Sequence, residues 1–173
     1  MHNVTRSRND EERSRRLQNS RKDATSYNAL LDDAQSAHDQ KPQVLKDVLD
    51  KTTLVLRLNP DYATLWNWRR SALVQAHEHP QPQSEVGDAA LSERRAATDA
   101  ELQLTQECLG VNPKSYPVWH HRTWALGFGQ YGAPILAREL KLTAKLLTLD
   151  DRNFHCWTYR RFVASAMGVP AED

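Results

Sequence analysis

Apolar positions along this chain recur every three to four residues, with few breaks. Leu30, Leu31 and Ala34 follow Tyr27 at helical spacing. Pro42 interrupts that run. A second run goes from Val44 through Leu45, Val48, Leu49, Thr52, Val55 and Leu56. It stops at Asn59-Pro60, where Asn is expected to cap the next helix and Pro to occupy its first position. Tyr62, Leu65, Trp66, Arg69 and Leu73 mark that helix. Residues 77–88 (HEHPQPQSEVGD) are polar and Pro-containing, and read as an insertion loop. A helix from about Ala89 should carry Ala97, Leu104, Cys108 and Val111 on one face and end at Asn112-Pro113. Tyr116, Trp119, Thr123 and Leu126 continue the stripe until Gly127, Gly129 and Gly132 mark a turn. Pro134 opens a helix with Leu136, Leu140, Ala144 and Leu147 facing inward. Asp150 is expected to cap the last helix, which carries Phe154, Trp157 and Arg160 and ends at Gly168 and Pro170. Helices of about 15 residues, roughly 22 Å each, joined by short turns, predict antiparallel helical hairpins.

Self-comparison reveals a repeat. The segments LRLNPDYATLWNWRR, LGVNPKSYPVWHHRT and LTLDDRNFHCWTYRR align on Asn59, Asn112 and Asp150. Seven residues after each comes Trp66, Trp119 or Trp157, and three further on Arg69, Arg122 or Arg160. The last two copies lie 38 residues apart; the first two are 53 apart and hold the polar segment between them. A period of about 38 belongs to stacked helical repeats and differs from the 34 of tetratricopeptide repeats. The Trp is placed to fill the gap between hairpins. The Arg, one turn on, is placed to stack on an indole or to pair with an acid of a neighbouring repeat.

Composition narrows the class. With 6 Gly and 8 Pro in 173 residues, the chain is too poor in turn formers for an all-β or low-complexity protein. The net charge of +1 provides no global field for nucleic acid or an anionic membrane. Locally, residues 1–24 form a basic arm, flexible or helical: Arg6, Arg8, Arg13, Arg15, Arg16, Arg21 and Lys22 outnumber Asp10, Glu11, Glu12 and Asp23. Residues 25–173 make up the repeat domain, about three and a half hairpins. No signal-peptide pattern and no run near the ~20 apolar residues of a membrane span is present. Cys108 and Cys156 lack a pairing motif and read as core or interface residues, so a cytoplasmic setting is expected. His120 and His121, adjacent on a helix, point about 100° apart and do not chelate together. With His77 and His79 in a polar segment, no metal site is expected in the chain.

The combination of Asn-Pro, Tyr, Trp and Arg over residues 43–167 resembles the protein prenyltransferase α-subunit repeat. NPKSYPVWHHRTW, ATLWNWRR and DDRNFHCWTYRRFVA resemble the Rab geranylgeranyltransferase (type II) kind within that family. Phe154 stands where the farnesyl and type I kinds carry Tyr. The resemblance implies an all-α, right-handed superhelical solenoid of helical hairpins, in a subunit longer than this chain and inactive alone. Its partner would be a β subunit that binds zinc, sets prenyl chain length and holds geranylgeranyl diphosphate at the heterodimer interface. The acceptor would be a Rab GTPase delivered by the Rab escort protein. Residue by residue, it implies catalytic roles for Lys114, directed at the departing diphosphate, and Tyr116, at the same edge. Asn153 and His155 would face the β subunit and the active-site rim. Two other readings fit the same residues: a non-catalytic helical-repeat binding module, and a farnesyl or type I α subunit.

Overall fold

A computed structural model describes residues 3–40, 44–77 and 88–168. These residues form seven helices and no strand: α1 (Asn3–Asp39), α2 (Leu45–Leu58), α3 (Ala63–Ala76), α4 (Asp88–Val111), α5 (Tyr116–Gly129), α6 (Ala133–Leu149) and α7 (Phe154–Ala166). Pro42, His79, Pro170 and all but the ends of the expected 77–88 loop lie outside the described residues. Among the described residues no helix is long and apolar enough to cross a membrane.

The chain divides into two compact units, Met1–Val55 and Leu56–Asp173. The first holds α1 and most of α2. α1 has 37 residues, well beyond the expected 15, because no Gly or Pro interrupts residues 3–39. The basic arm is therefore the first part of this helix, without a break at residue 24. Residues 12–26 are exposed throughout, and burial begins in earnest at Ala34 and Ala37.

The second unit is built from paired helices. α4 packs on α5 and α6 on α7, while α3, α5 and α7 contact one another in succession. The Trp-bearing helices thus form the continuous row, and α4 and α6 stand beside it. Buried residues include Leu65, Trp66 and Leu73 of α3, Leu102, Leu104 and Leu109 of α4, and Val118, Trp119 and Leu126 of α5. Gly129 ends α5 at a close approach: a Cβ there would stand 3.0 Å from Thr98 Oγ1 and 2.9 Å from Tyr131 Cε2.

Several expectations are corrected by burial. On α6 the inward stripe is Leu136, Glu139 and Thr143, while Ala144 is exposed. On α4, Val111 is 59% exposed, and Thr98, Glu101 and Thr105 turn inward. On α7, Phe154 and Trp157 are exposed; Cys156, Tyr159 and Val163 are the buried set. The glycine-marked turn is narrower than expected. Helix α5 continues through Gly127 to Gly129, and Gln130 takes the left-handed conformation at φ 49°. Gly168, at φ 71°, does follow the last turn of α7.

Candidate functional site

The turns before α3, α5 and α7 share one geometry, and it differs from the expected capping. Asn59, Asn112 and Asp150 do not cap these helices. Each accepts, through Oδ1, the backbone N–H two residues on: Asp61 at 3.3 Å, Lys114 at 3.1 Å and Arg152 at 3.1 Å. This local bond closes a turn and delays the helix by one turn. Pro60 and Pro113 therefore sit in the turns and not at the first helical position. The N-cap positions are Tyr62, Ser115 and Asn153, and Asn153 caps with its side chain, accepting from Cys156 N at 3.1 Å.

The turn carbonyls organise the stack. Trp66 Nε1 donates to Pro60 O at 2.9 Å, Trp119 Nε1 to Pro113 O at 2.8 Å and Trp157 Nε1 to Asp151 O at 2.7 Å. The following repeat adds a second donor to the first two: Ser115 Oγ reaches Pro60 O at 3.4 Å, and Asn153 Nδ2 reaches Pro113 O at 2.9 Å. The first two indoles are also covered from the next repeat, Trp66 by His121 at 4.6 Å between ring centroids and Trp119 by Tyr159 at 5.2 Å.

Behind the indoles runs a buried ionic ladder. Arg69 grips Glu101 through Nε at 2.9 Å and Nη2 at 2.5 Å. Arg122 grips Glu139 the same way, at 2.7 and 2.8 Å. Its Nη1 reaches back to Leu102 O at 2.6 Å and Thr105 Oγ1 at 2.7 Å. Arg160 reproduces the backward contacts, to Leu140 O at 2.8 Å and Thr143 Oγ1 at 3.0 Å. Burial pushes the Glu101 carboxyl up, but the Arg69 charge, with hydrogen bonds from His121 and Arg69, outweighs it and holds the group at about 2. His121 Nε2 lies 2.8 Å from Glu101 Oε2 and Nδ1 has no partner; burial lowers this imidazole's pKa against the pull of Glu101. Cys108 and Cys156 are buried, and burial raises their thiols to about 12 and about 11, so both stay protonated. Among the described residues no three His, Cys, Asp or Glu side chains are grouped to hold a metal ion.

The opposite end of this construction is exposed. Tyr116 is 63% exposed and stacks on His120 at 5.9 Å; its ring also lies 6.0 Å from His155. Phe154, 68% exposed, lies 5.9 Å from His155. Arg70 Nη1 sits 3.0 Å from His120 Nδ1, and its Nη2 donates to Asn67 Oδ1. Partial burial, with the Arg70 charge, lowers the His120 pKa, consistent with a neutral ring accepting from Arg70. Lys114 Nζ lies 3.1 Å from Asp150 Oδ2, with the lysine side chain 65% exposed. The turns thus bring Tyr116 and His155 together on one rim. Asn153 is the exception: it is 2% exposed and both ends of its amide are used inside the fold, so it presents no polar group to the rim.

The sequence reading missed the buried acids Glu101 and Glu139. A signal existed, since Arg122 follows Leu102 by 20 residues and Thr105 by 17, and Arg160 follows Leu140 and Thr143 by the same steps.

Comparison with known proteins agrees with this geometry. The protein prenyltransferase alpha subunit repeat matches residues 45–76, 98–128 and 136–167. The type-2 geranylgeranyl transferase subunit alpha of Homo sapiens is 45% identical over 134 residues, covering 78% of this chain and 22% of that protein. The Sus scrofa protein of the same name is 46% identical over the same shares. That of Dictyostelium discoideum is 34% identical over 177 residues, covering 100% of this chain and 53% of that protein. The chain therefore spans about a fifth of the mammalian relatives and about half of the amoebal one. With three matched repeats whose turns, indoles and arginines follow one geometric pattern, the chain belongs to the protein prenyltransferase α-subunit repeat family.

Proposed function

We propose that this chain acts as α-subunit material of a type-2 geranylgeranyl transferase, supporting prenyl transfer in a heterodimer and inactive alone. The observation that carries the reading is that exposed Lys114 and Tyr116, with half-buried His155 beside Tyr116, are presented by turns that recur in register. The names of the relatives supply the reaction: transfer of a geranylgeranyl group. In this reading a β subunit covers the rim and brings geranylgeranyl diphosphate to it. The acceptor is a Rab GTPase carried by its escort protein, in the cytoplasm. Zinc, which would favour the thiolate of the acceptor cysteine, belongs to the β subunit.

The chain's own contribution is electrostatic. When the carbon–oxygen bond to diphosphate breaks, negative charge builds on the leaving group. A lysine ammonium at that edge stabilises it as a compact cation. Lys114 is suited to this because its side chain is 65% exposed in the pair with Asp150, and solvent screening weakens such a pair. The side chain is thus parked rather than fixed, and a diphosphate with more charge than one carboxylate outcompetes Asp150. Tyr116 presents a hydroxyl at the same rim as a hydrogen-bond donor to the leaving oxygen. Phe154 has none to offer, and Asn153 serves the fold.

The test is co-expression with a type-2 β subunit, followed by co-purification and labelled transfer to an escort-bound Rab. Lys114→Ala is expected to keep the complex and lower transfer on the order of 10- to 100-fold. Unchanged transfer would remove Lys114 from the chemistry. A stable complex without any transfer would favour a non-catalytic binding module, and the absence of a complex would end the subunit reading.

A further inference from the structure

Tyr116 opens α5 with its ring 63% exposed, so core packing does not set its torsions. A hydroxyl stabilises a developing charge only if it already stands where that charge appears. Two imidazoles flank the ring instead. His120, one turn along α5, lies nearly parallel to it, at 24° between planes and 5.9 Å between centroids. His155, from α7, stands at 62° and 6.0 Å.

His120 is itself exposed, yet it is anchored. Arg70 of α3 directs Nη1 at its Nδ1, at 3.0 Å. The Nη2 of the same guanidinium donates to Asn67 Oδ1, one turn back on α3, which fixes the fork. A guanidinium has only donors to offer, so Nδ1 accepts and the ring proton sits on Nε2. Side chains of two repeats, Asn67, Arg70 and His120, thus set the flank on which Tyr116 rests.

The other two repeats lack this arrangement. Three residues before the Trp stand Ala63, Tyr116 and Phe154; the residue after it is Asn67, His120 or Thr158. The first repeat has no ring to place. In the third the ring has no hydroxyl, and Arg161 Nη2 donates to Thr158 Oγ1 of its own helix, at 3.4 Å. The stacked imidazole and its anchor from the preceding repeat occur where a phenol is offered.

We infer that Arg70 and His120 are positioning residues for the Tyr116 hydroxyl. Arg70 holds the imidazole neutral and oriented, and the imidazole holds the phenol at the rim. This rests on the proposed role of Tyr116 as a donor to the leaving oxygen. Protonating His120 would set a second donor and a second cation against Arg70, and the anchor would open.

The anchor is tested in the chain alone by nuclear magnetic resonance. His120 is expected as the Nε2–H tautomer, with ring-to-ring contacts to Tyr116. Arg70 is the charged group acting on it from α3; Tyr116 on α5 and His155 on α7 are the other titratable members of the cluster. Arg70→Met should raise the His120 titration midpoint, because the neighbouring positive charge is gone, and should weaken the ring contacts. An unaltered midpoint with unaltered contacts would overturn the inference. Transfer is then measured in the heterodimer with a type-2 β subunit. Tyr116→Phe is expected to lower it on the order of 10-fold. His120→Ala and Arg70→Met should each lower it by about 3-fold, and by nothing further in the Tyr116→Phe background. Equal losses with and without the hydroxyl would mean that both residues serve the fold or the subunit contact, which overturns positioning. If Tyr116→Phe loses transfer while His120→Ala and Arg70→Met keep it, the inference falls alone. If Tyr116→Phe transfers normally, the proposed role of Tyr116 falls and the inference with it.

Discussion

Arg122 and Glu139 meet as a two-pronged pair with both side chains 1% exposed. The Arg122 Nε and Nη2 donate to the two carboxylate oxygens, and Tyr159 OH adds a third donor at 2.8 Å to Oε2. The remaining Arg122 nitrogen is spent on Leu102 O and Thr105. Four helices of the second unit are thereby tied at one point. Isolated, either charge would be too costly to bury; together, with both carboxylate oxygens and all three guanidinium nitrogens bonded, they specify how the repeats seat.

Removing one partner should therefore be severe. Glu139→Gln or Arg122→Met is expected to cost about 3–5 kcal/mol, because each strands the other group. The double change Arg122→Met with Glu139→Leu should cost less than either single change. Urea unfolding followed by circular dichroism reads all three, and additive losses would refute the coupling.

The three indoles should rank by cover. Trp66→Phe removes a fully buried hydrogen bond to Pro60 O and leaves a void, for about 2–3 kcal/mol. Trp157→Phe, in a ring 42% exposed, should cost under about 1 kcal/mol. Equal losses would mean that the turn carbonyl, common to both, matters more than the packing.

Helical periodicity located all seven helices, α1 only from Tyr27 on, and Trp and Arg at fixed spacing set the repeat register. One part of what it misassigned lies in the turns. Asn-Pro was legible as a boundary, but whether Asn caps a helix or closes a turn depends on which backbone N–H its side chain reaches, and here it is the one two residues on. That shift moves the cap to Asn153 and takes its amide off the rim. The polar interior was the other blind spot. Glu101, Glu139 and His121 read as surface residues by type; the two acids are buried against arginines from the preceding repeats, and His121 against Glu101. The rim was legible through family resemblance alone; nothing in the periodicity distinguishes Lys114 from any exposed lysine.

Acid should weaken the second unit in two stages. His121 has a folded pKa lowered chiefly by burial, so the unfolded chain binds its proton first as pH falls below about 6.5. Its contribution is present above that pH and is lost below it, with a slope up to about 1.4 kcal/mol per pH unit. Arg69, Arg70 and Glu101 are the charged groups acting on it, and the Glu101 bond only moderates the shift. Glu101, held at about 2, adds a second loss that starts near pH 4–5 and deepens toward pH 2. His121→Gln should flatten the upper stage while leaving the lower one, as read by urea midpoints from pH 8 to 3. Because burial also lowers the His120 pKa, His120→Gln is the control, and it should flatten far less at this more exposed position. An unaltered upper stage in His121→Gln would place the titrating group elsewhere.

Asp150 performs two jobs that the other repeats separate. Its Oδ1 closes the turn onto Arg152 N, as Asn59 and Asn112 do in theirs, while its Oδ2 holds Lys114. The hydrogen bond from Lys114, with that from Arg152 N, lowers its carboxyl pKa. Asp150→Asn keeps the turn-closing oxygen and deletes the charge, converting this turn to the form of the other two. Stability should change little, as for other surface substitutions. Lys114, released from its exposed partner, should bind inorganic pyrophosphate several-fold more tightly, since one competing negative charge near the ammonium is gone. Titrating pyrophosphate into the heterodimer and following inhibition of transfer reads the change, with Lys114→Ala as the reference for no contribution. If Asp150→Asn leaves pyrophosphate inhibition where it was while the fold is intact, the carboxylate is not a competitor for the lysine. Lys114 would then act on the diphosphate from a position its pairing with Asp150 does not occupy. If the variant unfolds instead, the turn needs the ion pair that its two counterparts do without.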